Sequence, residues 1–143
     1  MDTSAFVGKH ILVVDDDAPC RQLLEIMFED TGCTLAFALN GQEAVDMVRA
    51  GKFDIVLMDV RMPVMKGYEA AAEIRKTHKD LPIIALTAHV MAAVEEKCWE
   101  SGMNDYLRKP FDHDVLMEML IKWVGRTDRA LSELPLDLPP SHF

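Results

Sequence analysis

The stretch Ile11-Leu-Val-Val14, followed at once by Asp15-Asp-Asp17, decides the fold of this chain. Its four apolar residues do not alternate with polar ones, which is typical of a strand buried on both faces of a parallel sheet. Similar apolar runs recur at residues 35–39, 55–58 and 83–86, and a weaker one at 106–107. The sequence therefore predicts five strands.

Segments with helical periodicity separate these runs. Apolar residues three or four positions apart mark three of them: Leu23, Leu24, Met27 and Phe28; Ala44, Val45 and Val48; Val115, Leu116, Met119, Leu120 and Trp123. The alternation of strand and helix predicts an α/β fold, a doubly wound five-stranded parallel sheet with helices on both faces. Four glycines follow periodic segments and are expected just beyond helix ends: Gly32, Gly51, Gly102 and Gly125.

Composition limits the partners and the cellular location. The chain has 143 residues and a formal net charge of -9, which argues against direct binding to nucleic acid or to an anionic membrane. No apolar run approaches the roughly 18 residues that a membrane span needs. The three cysteines form no C-x-x-C pair and fit reduced thiols better than disulfides or a zinc site. We therefore predict a single cytoplasmic domain.

The end of the chain differs from the rest. Residues 127–143 hold three of the seven prolines: Pro135, Pro139 and Pro140. Proline interrupts regular structure, so we predict a domain at residues 1–126 and a mobile tail or linker at 127–143. The alternative is a docking peptide built on Leu134, Leu136 and Leu138.

Polar residues stand where the predicted strands end, the position at which open α/β sheets build their sites. They are Asp15 to Asp17, Asp59, Thr87 with Ala88, and Lys109 with Pro110. Carboxylates that converge there repel one another unless a cation joins them. Since the candidate ligands are all oxygen atoms, we expect Mg²⁺, or alternatively Mn²⁺, rather than Zn²⁺.

These residue types suit one reaction in particular. Asp59 can act as a nucleophile on a phosphoryl group to give an aspartyl phosphate, while Thr87 and Lys109 bind the phosphoryl oxygens. Each residue also has a purely structural interpretation. Asp17 can be an ordinary helix start, Thr87 a hydroxyl bonded to nearby backbone, and Lys109 a solvated lysine.

Four motifs, in this order and spacing, resemble the receiver domains of two-component response regulators over residues 9–125. They are Ile11-Leu-Val-Val-Asp-Asp16; Met58-Asp59-Val-Arg-Met-Pro63 with Gly67; Leu86-Thr87-Ala88; and Tyr106-Leu-Arg-Lys109-Pro110-Phe111. The resemblance implies the strand order 2-1-3-4-5 and a cis Lys109–Pro110 bond. Within the family, the segments around Thr87 and Lys109 look most like receivers of hybrid sensor kinases.

The resemblance also implies a role for each site residue. Asp59 is the expected phospho-acceptor, with Thr87 and Lys109 as its catalytic partners. Mg²⁺ is expected on Asp15, Asp16, Asp59 and the backbone carbonyl of Arg61. Thr87 and Tyr106 are expected to switch the face formed by the fourth helix, the fifth strand and the fifth helix. Two side chains, those of Arg61 and His89, are expected to tune the lifetime of the phosphate, and Lys66 stands where many relatives are acidic.

The partners implied are a sensor histidine kinase or a histidine phosphotransfer protein, a downstream protein, and in some cases a second copy of the chain. Such a domain transfers and hydrolyses only its own phosphate, so we do not expect an enzyme with a free substrate. The chain is either a free-standing receiver or one excised from a hybrid histidine kinase. Other classes are weaker: a phosphohydrolase with its nucleophile at Asp15, a flavodoxin-like cofactor carrier, and an interaction module that is never phosphorylated.

Overall fold

Strands and helices alternate along the chain in the predicted order. The computed structural model describes residues 3–133 except 63–64 and 89–91, and for 126–133 it describes the backbone alone. The strands are β1 (His10–Val14), β2 (Thr34–Ala38), β3 (Ile55–Asp59), β4 (Ile83–Thr87) and β5 (Asp105–Arg108). The helices are α1 (Ala18–Met27), α2 (Gly41–Ala50), α3 (Gly67–Arg75), α4 (Ala92–Glu100) and α5 (His113–Glu133), after a 3-10 turn at Ser4–Phe6.

The five strands form one parallel sheet in the order β2-β1-β3-β4-β5, which confirms the predicted fold class and topology. The register brings the carboxyl ends of the central strands level with one another. Val14 pairs with Met58 between β1 and β3, and Asp59 pairs with Leu86 between β3 and β4. The residues that follow these strands therefore meet at one edge of the sheet.

The apolar runs lack alternation because each strand contributes to two cores. Leu12 and Val14 of β1 point to the side covered by α2, α3 and α4, whereas Ile11 and Val13 point to the side covered by α1 and α5. All four side chains are fully buried. Successive residues of a strand alternate between faces, so a strand covered on both sides needs apolar residues throughout.

The second predicted strand is less buried than its apolar sequence indicates. Only Ala38 of β2 is fully buried, and Leu39 just beyond it is 45% exposed. The reason is topological, because β2 lies at an edge of the sheet and pairs with β1 alone among the described strands.

The prediction that helix α5 stops near Gly125 is wrong, because α5 continues to Glu133. The residues after Gly125 include Ala130, Leu131 and Glu133, which are strong helix formers and support continuation across the glycine. The first seven residues of the predicted tail, 127–133, are therefore helical. Residues 134–143, with the three leucines of the alternative docking peptide, lie outside the described part of the chain, and their mobility stays a prediction.

Other local predictions fare better. Gly32 and Gly102 have φ values of 84° and 92°, the left-handed conformation expected after a helix, whereas Gly51 is extended with φ of -139°. The Lys109–Pro110 bond is cis, as the resemblance implied. In the described part of the chain, no helix has both the length and the hydropathy of a membrane-spanning segment.

One glycine lets α3 approach the end of β3. A Cβ atom on Gly67 would collide with the carbonyl oxygen of Asp59 and would lie 2.9 Å from the Cα of Val60. Both are backbone atoms, which cannot rotate away as a side chain can. The close packing of α3 against the strand that carries Asp59 therefore requires a glycine.

We expect Gly67→Ala to lower the free energy of unfolding by about 1–3 kcal/mol, because the added methyl group forces α3 away from β3. Gly125→Ala is the matched control, since nothing lies within 4 Å of its added Cβ within helix α5. The control should be neutral or stabilising by about 0.5–1 kcal/mol. Urea denaturation measures both, and equal values for the two variants would contradict this account.

Candidate functional site

Four elements deliver the predicted site residues to one edge of the sheet. Asp15 and Asp16 follow β1, Asp59 ends β3 and Thr87 ends β4. Lys109 follows β5, and its backbone N–H donates to the carbonyl of Thr87 at 2.8 Å. The site is thus built on strand ends, which the sheet register fixes relative to one another.

Lys109 joins two of the carboxylates. Its ammonium lies 2.8 Å from Asp15 Oδ2 and 3.3 Å from Asp59 Oδ2. The Asp15 side chain is fully buried and the Asp59 side chain is 11% exposed, so both ion pairs are largely shielded from water. The structure therefore does not support a solvated lysine at position 109.

The loop after β1 is held by its own hydrogen bonds. Asp15 Oδ1 accepts from the N–H of Asp17 at 3.0 Å, and the Asp15 carbonyl accepts from Arg21 Nη1 at 2.9 Å. Asp17 caps α1 by accepting from the Cys20 N–H at 3.1 Å. Asp17 is therefore the helix start that its structural interpretation predicted, and it does not belong to the acidic cluster.

The electrostatic environment separates the two buried carboxyls. Burial raises the pKa of Asp59 to about 6, although the Arg61 N–H and the Lys109 ammonium act in the opposite direction. Burial also acts to raise the pKa of Asp15, but hydrogen bonds from the Cys20 thiol and Lys109 outweigh it, so that pKa lies below its ordinary value. Asp15 is thus the firm ionic partner of Lys109, and Asp59 is the weaker acid.

Burial would lower the pKa of Lys109, but its hydrogen bond to Asp15 and the charge of Asp59 raise it above the ordinary lysine value. The ammonium therefore keeps its proton at neutral pH. A permanent positive charge therefore lies 3.3 Å from Asp59 Oδ2.

The acidic residues have the arrangement of a divalent-metal site. One carboxylate oxygen from each of Asp15, Asp16 and Asp59 lies within 4.8 Å of the other two. Oxygen ligands of this kind fit Mg²⁺ or Mn²⁺. Mg²⁺ contacts its oxygen ligands at about 2.0–2.1 Å. Asp59 Oδ1 also accepts from the Arg61 N–H at 3.0 Å, which fixes the rotation of its carboxylate. The role of the Arg61 carbonyl as a ligand stays a prediction.

The two predicted switch residues lie on adjacent strands. Thr87 is buried at the end of β4. Tyr106 in β5 is half-buried, and its hydroxyl donates to Glu95 Oε1 of α4 at 3.3 Å. Burial and the neighbouring Glu95 raise the pKa of Tyr106. Tyr106 therefore connects β5 to α4, and its role in switching stays a prediction.

Sequence reasoning missed two residues of the site, Arg21 and Cys20. Both lie near the start of α1. Cys20 is buried four residues before the buried Leu24, so the sequence indicated only a core position for it and gave no sign of its contact with Asp15. Pro63 of the second motif and His89, expected to tune the phosphate lifetime, lie outside the described residues.

Comparison with known proteins identifies the family. A family model described as "Response regulator receiver domain" matches residues 11–121. Sensor protein GacS of Pseudomonas syringae pv. syringae is 40% identical over 120 residues, which cover 80% of this chain and 13% of that protein. The chain thus spans only a small part of that relative.

Two solved structures show the same architecture. The receiver domain of sensor histidine kinase PA1611 from Pseudomonas aeruginosa, with a magnesium ion in its active site cleft, is 38% identical with a TM-score of 0.77, over 83% of this chain and 99% of that one. Chemotaxis protein CheY4 of Vibrio cholerae is 30% identical with a TM-score of 0.76, over 80% of this chain and 97% of that one. The sheet order, the acidic cluster beside Lys109 and these matches agree, and the chain therefore belongs to the response regulator receiver domain family of two-component systems.

Proposed function

We propose that this receiver domain accepts a phosphoryl group on Asp59 from the phosphohistidine of a sensor histidine kinase or of a histidine phosphotransfer protein. The observation that carries the proposal is the position of the Asp59 carboxylate. It stands at the edge of the sheet, oriented by the Arg61 N–H, with the Lys109 ammonium 3.3 Å from Oδ2. A nucleophile, a fixed positive charge and two further carboxylates thus share one small site.

In the transfer step a carboxylate oxygen of Asp59 attacks phosphorus and forms the new P–O bond. The P–N bond to the donor histidine breaks, and its electron pair stays on the histidine nitrogen. Lys109 and the Thr87 hydroxyl stabilise the charge on the phosphoryl oxygens. Mg²⁺ held by Asp15, Asp16, Asp59 and the Arg61 carbonyl would neutralise those oxygens further. Later, water attacks phosphorus, the P–O bond to Asp59 breaks with its electron pair on the carboxylate, and inorganic phosphate carrying the protons of the water leaves. The domain therefore turns over only its own phosphate.

The geometry disfavours a phosphohydrolase that uses Asp15 as its nucleophile. Each of the two carboxylates accepts a hydrogen bond on both of its oxygens, so burial is what distinguishes them. Asp15 is fully buried, whereas Asp59 keeps an exposed fraction of 8%. Of the two carboxylates, Asp59 is the one that an incoming phosphoryl group reaches.

We place the docking of the histidine donor on α1, which begins three residues after Asp15. Pro19, Leu23 and Ile26 follow one another at the spacing of one helix side and are all exposed. Leu23 is 39% exposed and Ile26 is 65% exposed, and it is their grouping on one helix side, rather than the exposure of either residue alone, that is typical of an interaction surface. An apolar strip beside the acceptor suits a partner that must bring its histidine within bonding distance of Asp59.

The output is proposed to leave through α4, β5 and α5. Tyr106 joins β5 to α4 through Glu95, so a change at Thr87 in the neighbouring strand β4 reaches this face. The downstream partner is a protein, with a second copy of the chain as the alternative. In the cell we place the domain in the cytoplasm, either as a free-standing receiver or as part of a hybrid kinase.

Incubation with Mg²⁺ and acetyl phosphate should add one phosphoryl group to the protein, seen by intact mass, and Asp59→Asn should abolish this addition. Asp17→Asn is the matched control, because asparagine also caps helices and Asp17 lies outside the acidic cluster. Asp15→Asn should retain labelling when Mg²⁺ is high. Labelling that survives Asp59→Asn would exclude the proposal.

Without Mg²⁺, the free energy of unfolding should fall by about 2 kcal/mol as pH rises from about 4 to 6. The folded state holds the Asp59 proton more tightly than the unfolded chain in this window, so ionisation favours unfolding. Asp59→Asn should remove this step, and the exposed Asp46→Asn on α2 should keep it. Urea titrations across this pH range measure the free energy of unfolding of the unaltered protein and of the two variants. In a separate measurement, addition of Mg²⁺ at neutral pH should raise Tm. An unchanged step in Asp59→Asn would refute the assignment.

The donor for this test is a phosphorylated histidine phosphotransfer domain that labels the unaltered protein. Ile26→Lys should slow transfer from this donor by about ten-fold or more, because the substitution places a charge in the apolar strip. Labelling by acetyl phosphate should stay the same, since no protein docks in that reaction. Val7→Lys is the matched control, as Val7 is also 65% exposed but precedes β1 at the far end of the sheet. Equal rates for the two variants would move the docking surface elsewhere.

A further inference from the structure

A basic groove opens beside the phosphoryl-acceptor site. Its inner part is a cavity of about 420 Å³ between the loop after β3, the start of α3 and helix α4, and Thr87 lies in its wall. An outer part of about 330 Å³ continues along α3 and α4 and shares three lining residues with the inner one: Lys66, Tyr68 and Lys97. We define the basic groove by these three residues together with Arg61.

The charge of the groove is opposite to that of the protein as a whole. The chain carries a net charge of -9, yet Arg61, Lys66 and Lys97 line the inner cavity, and no acidic residue stands among its described lining. Within the described part of the chain, none of the three cations takes part in an ion pair. Acidic residues enter only at the outer part, with Glu69 and Glu100.

The groove also has a fixed wall. Tyr68 is half-buried at the start of α3, and Lys97 Nζ lies 5.7 Å from the centre of its ring. This cation–π contact keeps the ammonium of Lys97 on the groove side of α4. The Lys66 N–H donates to Glu69 Oε1 at 3.1 Å, which fixes the backbone from which the Lys66 side chain extends.

We propose that the basic groove is a binding subsite for small dianionic phosphodonors, such as acyl phosphates, in which Lys66 and Lys97 hold the donor next to the acceptor site. The inference rests on the proposed role of Asp59 and adds the route by which a small donor reaches it. A cavity of this volume fits a small molecule. A dianion that approaches a protein of strong negative charge needs a local positive field, and clustered cations at the mouth of a cleft supply one.

Phosphoryl transfer from such a donor to Asp59 needs no further reactant. A carboxylate oxygen of Asp59 attacks phosphorus, the P–O bond to the acyl group breaks, and the acyl carboxylate leaves with the electron pair. No proton transfer is needed, because the leaving group is a stable anion at neutral pH. The cations of the groove contribute to binding the donor and not to the chemical step.

The test measures initial rates of phosphorylation by intact mass over a range of acetyl phosphate concentrations, with saturating Mg²⁺. The double variant Lys66→Gln/Lys97→Gln should raise the half-saturating donor concentration by about three- to ten-fold at low ionic strength. The maximal rate should change by less than about two-fold, since the residues that contact the reacting atoms are intact. Raising the salt from about 50 to 500 mM should remove most of the difference.

Lys76→Gln/Lys79→Gln is the matched control. It removes the same number of positive charges from the far end of the sheet, at the end of α3 and before β4. Its half-saturating concentration should stay close to that of the unaltered protein. Phosphoramidate, a monoanion at neutral pH, should show a smaller effect than acetyl phosphate in the groove variant, because it carries less charge for the lysines to hold.

The outcomes separate this inference from the proposed function. An unchanged half-saturating concentration in the groove variant would overturn the inference, as would an equal change in the control. A fall in maximal rate alone would assign the lysines a structural role and also overturn it. Slower transfer from a phosphorylated histidine phosphotransfer domain, with acetyl phosphate unaffected, would make the groove a protein-docking surface instead. If neither small donor labels the unaltered protein on Asp59, the proposed function itself fails.

Discussion

The ammonium of Lys109 lies between the carboxylates of Asp15 and Asp59. The arrangement of side chains at the carboxyl ends of the strands depends on this ammonium. The three residues come from the ends of β1, β3 and β5, so one ion-pair cluster links strands that are far apart in sequence. Two carboxylates buried this closely repel each other, and only a positive charge makes their proximity tolerable. The parallel register below supplies the positions, and Lys109 supplies the compensating charge.

Lys109 compensates the charge of the two carboxylates only in part, and the remaining charge on Asp59 bears on the proposed function. Asp15 is stabilised as an anion by Lys109, Cys20 and the Asp17 N–H, whereas burial leaves Asp59 with a pKa of about 6. The folded protein therefore holds one carboxylate whose charge is poorly balanced by the chain itself. In the proposed function a divalent cation would complete this balance, and the acidic cluster that would hold it is already assembled.

Much of this organisation could be predicted from sequence, because each strand and its terminal polar residue form one local signal. The apolar runs located β1, β3 and β4, and the residues that follow them located Asp15, Asp59 and Thr87. Features that depend on packing could not be read in this way. The edge position of β2 made it less buried than its composition indicates, and α5 continued through Gly125 because the residues beyond it favour helix. The contact of Cys20 with Asp15 and the grouping of Lys66 with Lys97 need two helices in their folded positions, which no local pattern encodes.

The separation of strand ends from helix surfaces has a consequence for how such a domain diversifies. The reacting groups are fixed by the register of β1, β3 and β4, while the apolar strip of α1 and the cations near α3 and α4 lie on surfaces that carry no sheet hydrogen bonds. Substitutions on those surfaces leave the register unchanged. In the proposed function, a gene duplicate of this domain could therefore acquire a new donor or a new target by changes on its helices, while the arrangement of side chains at the sheet edge stays intact.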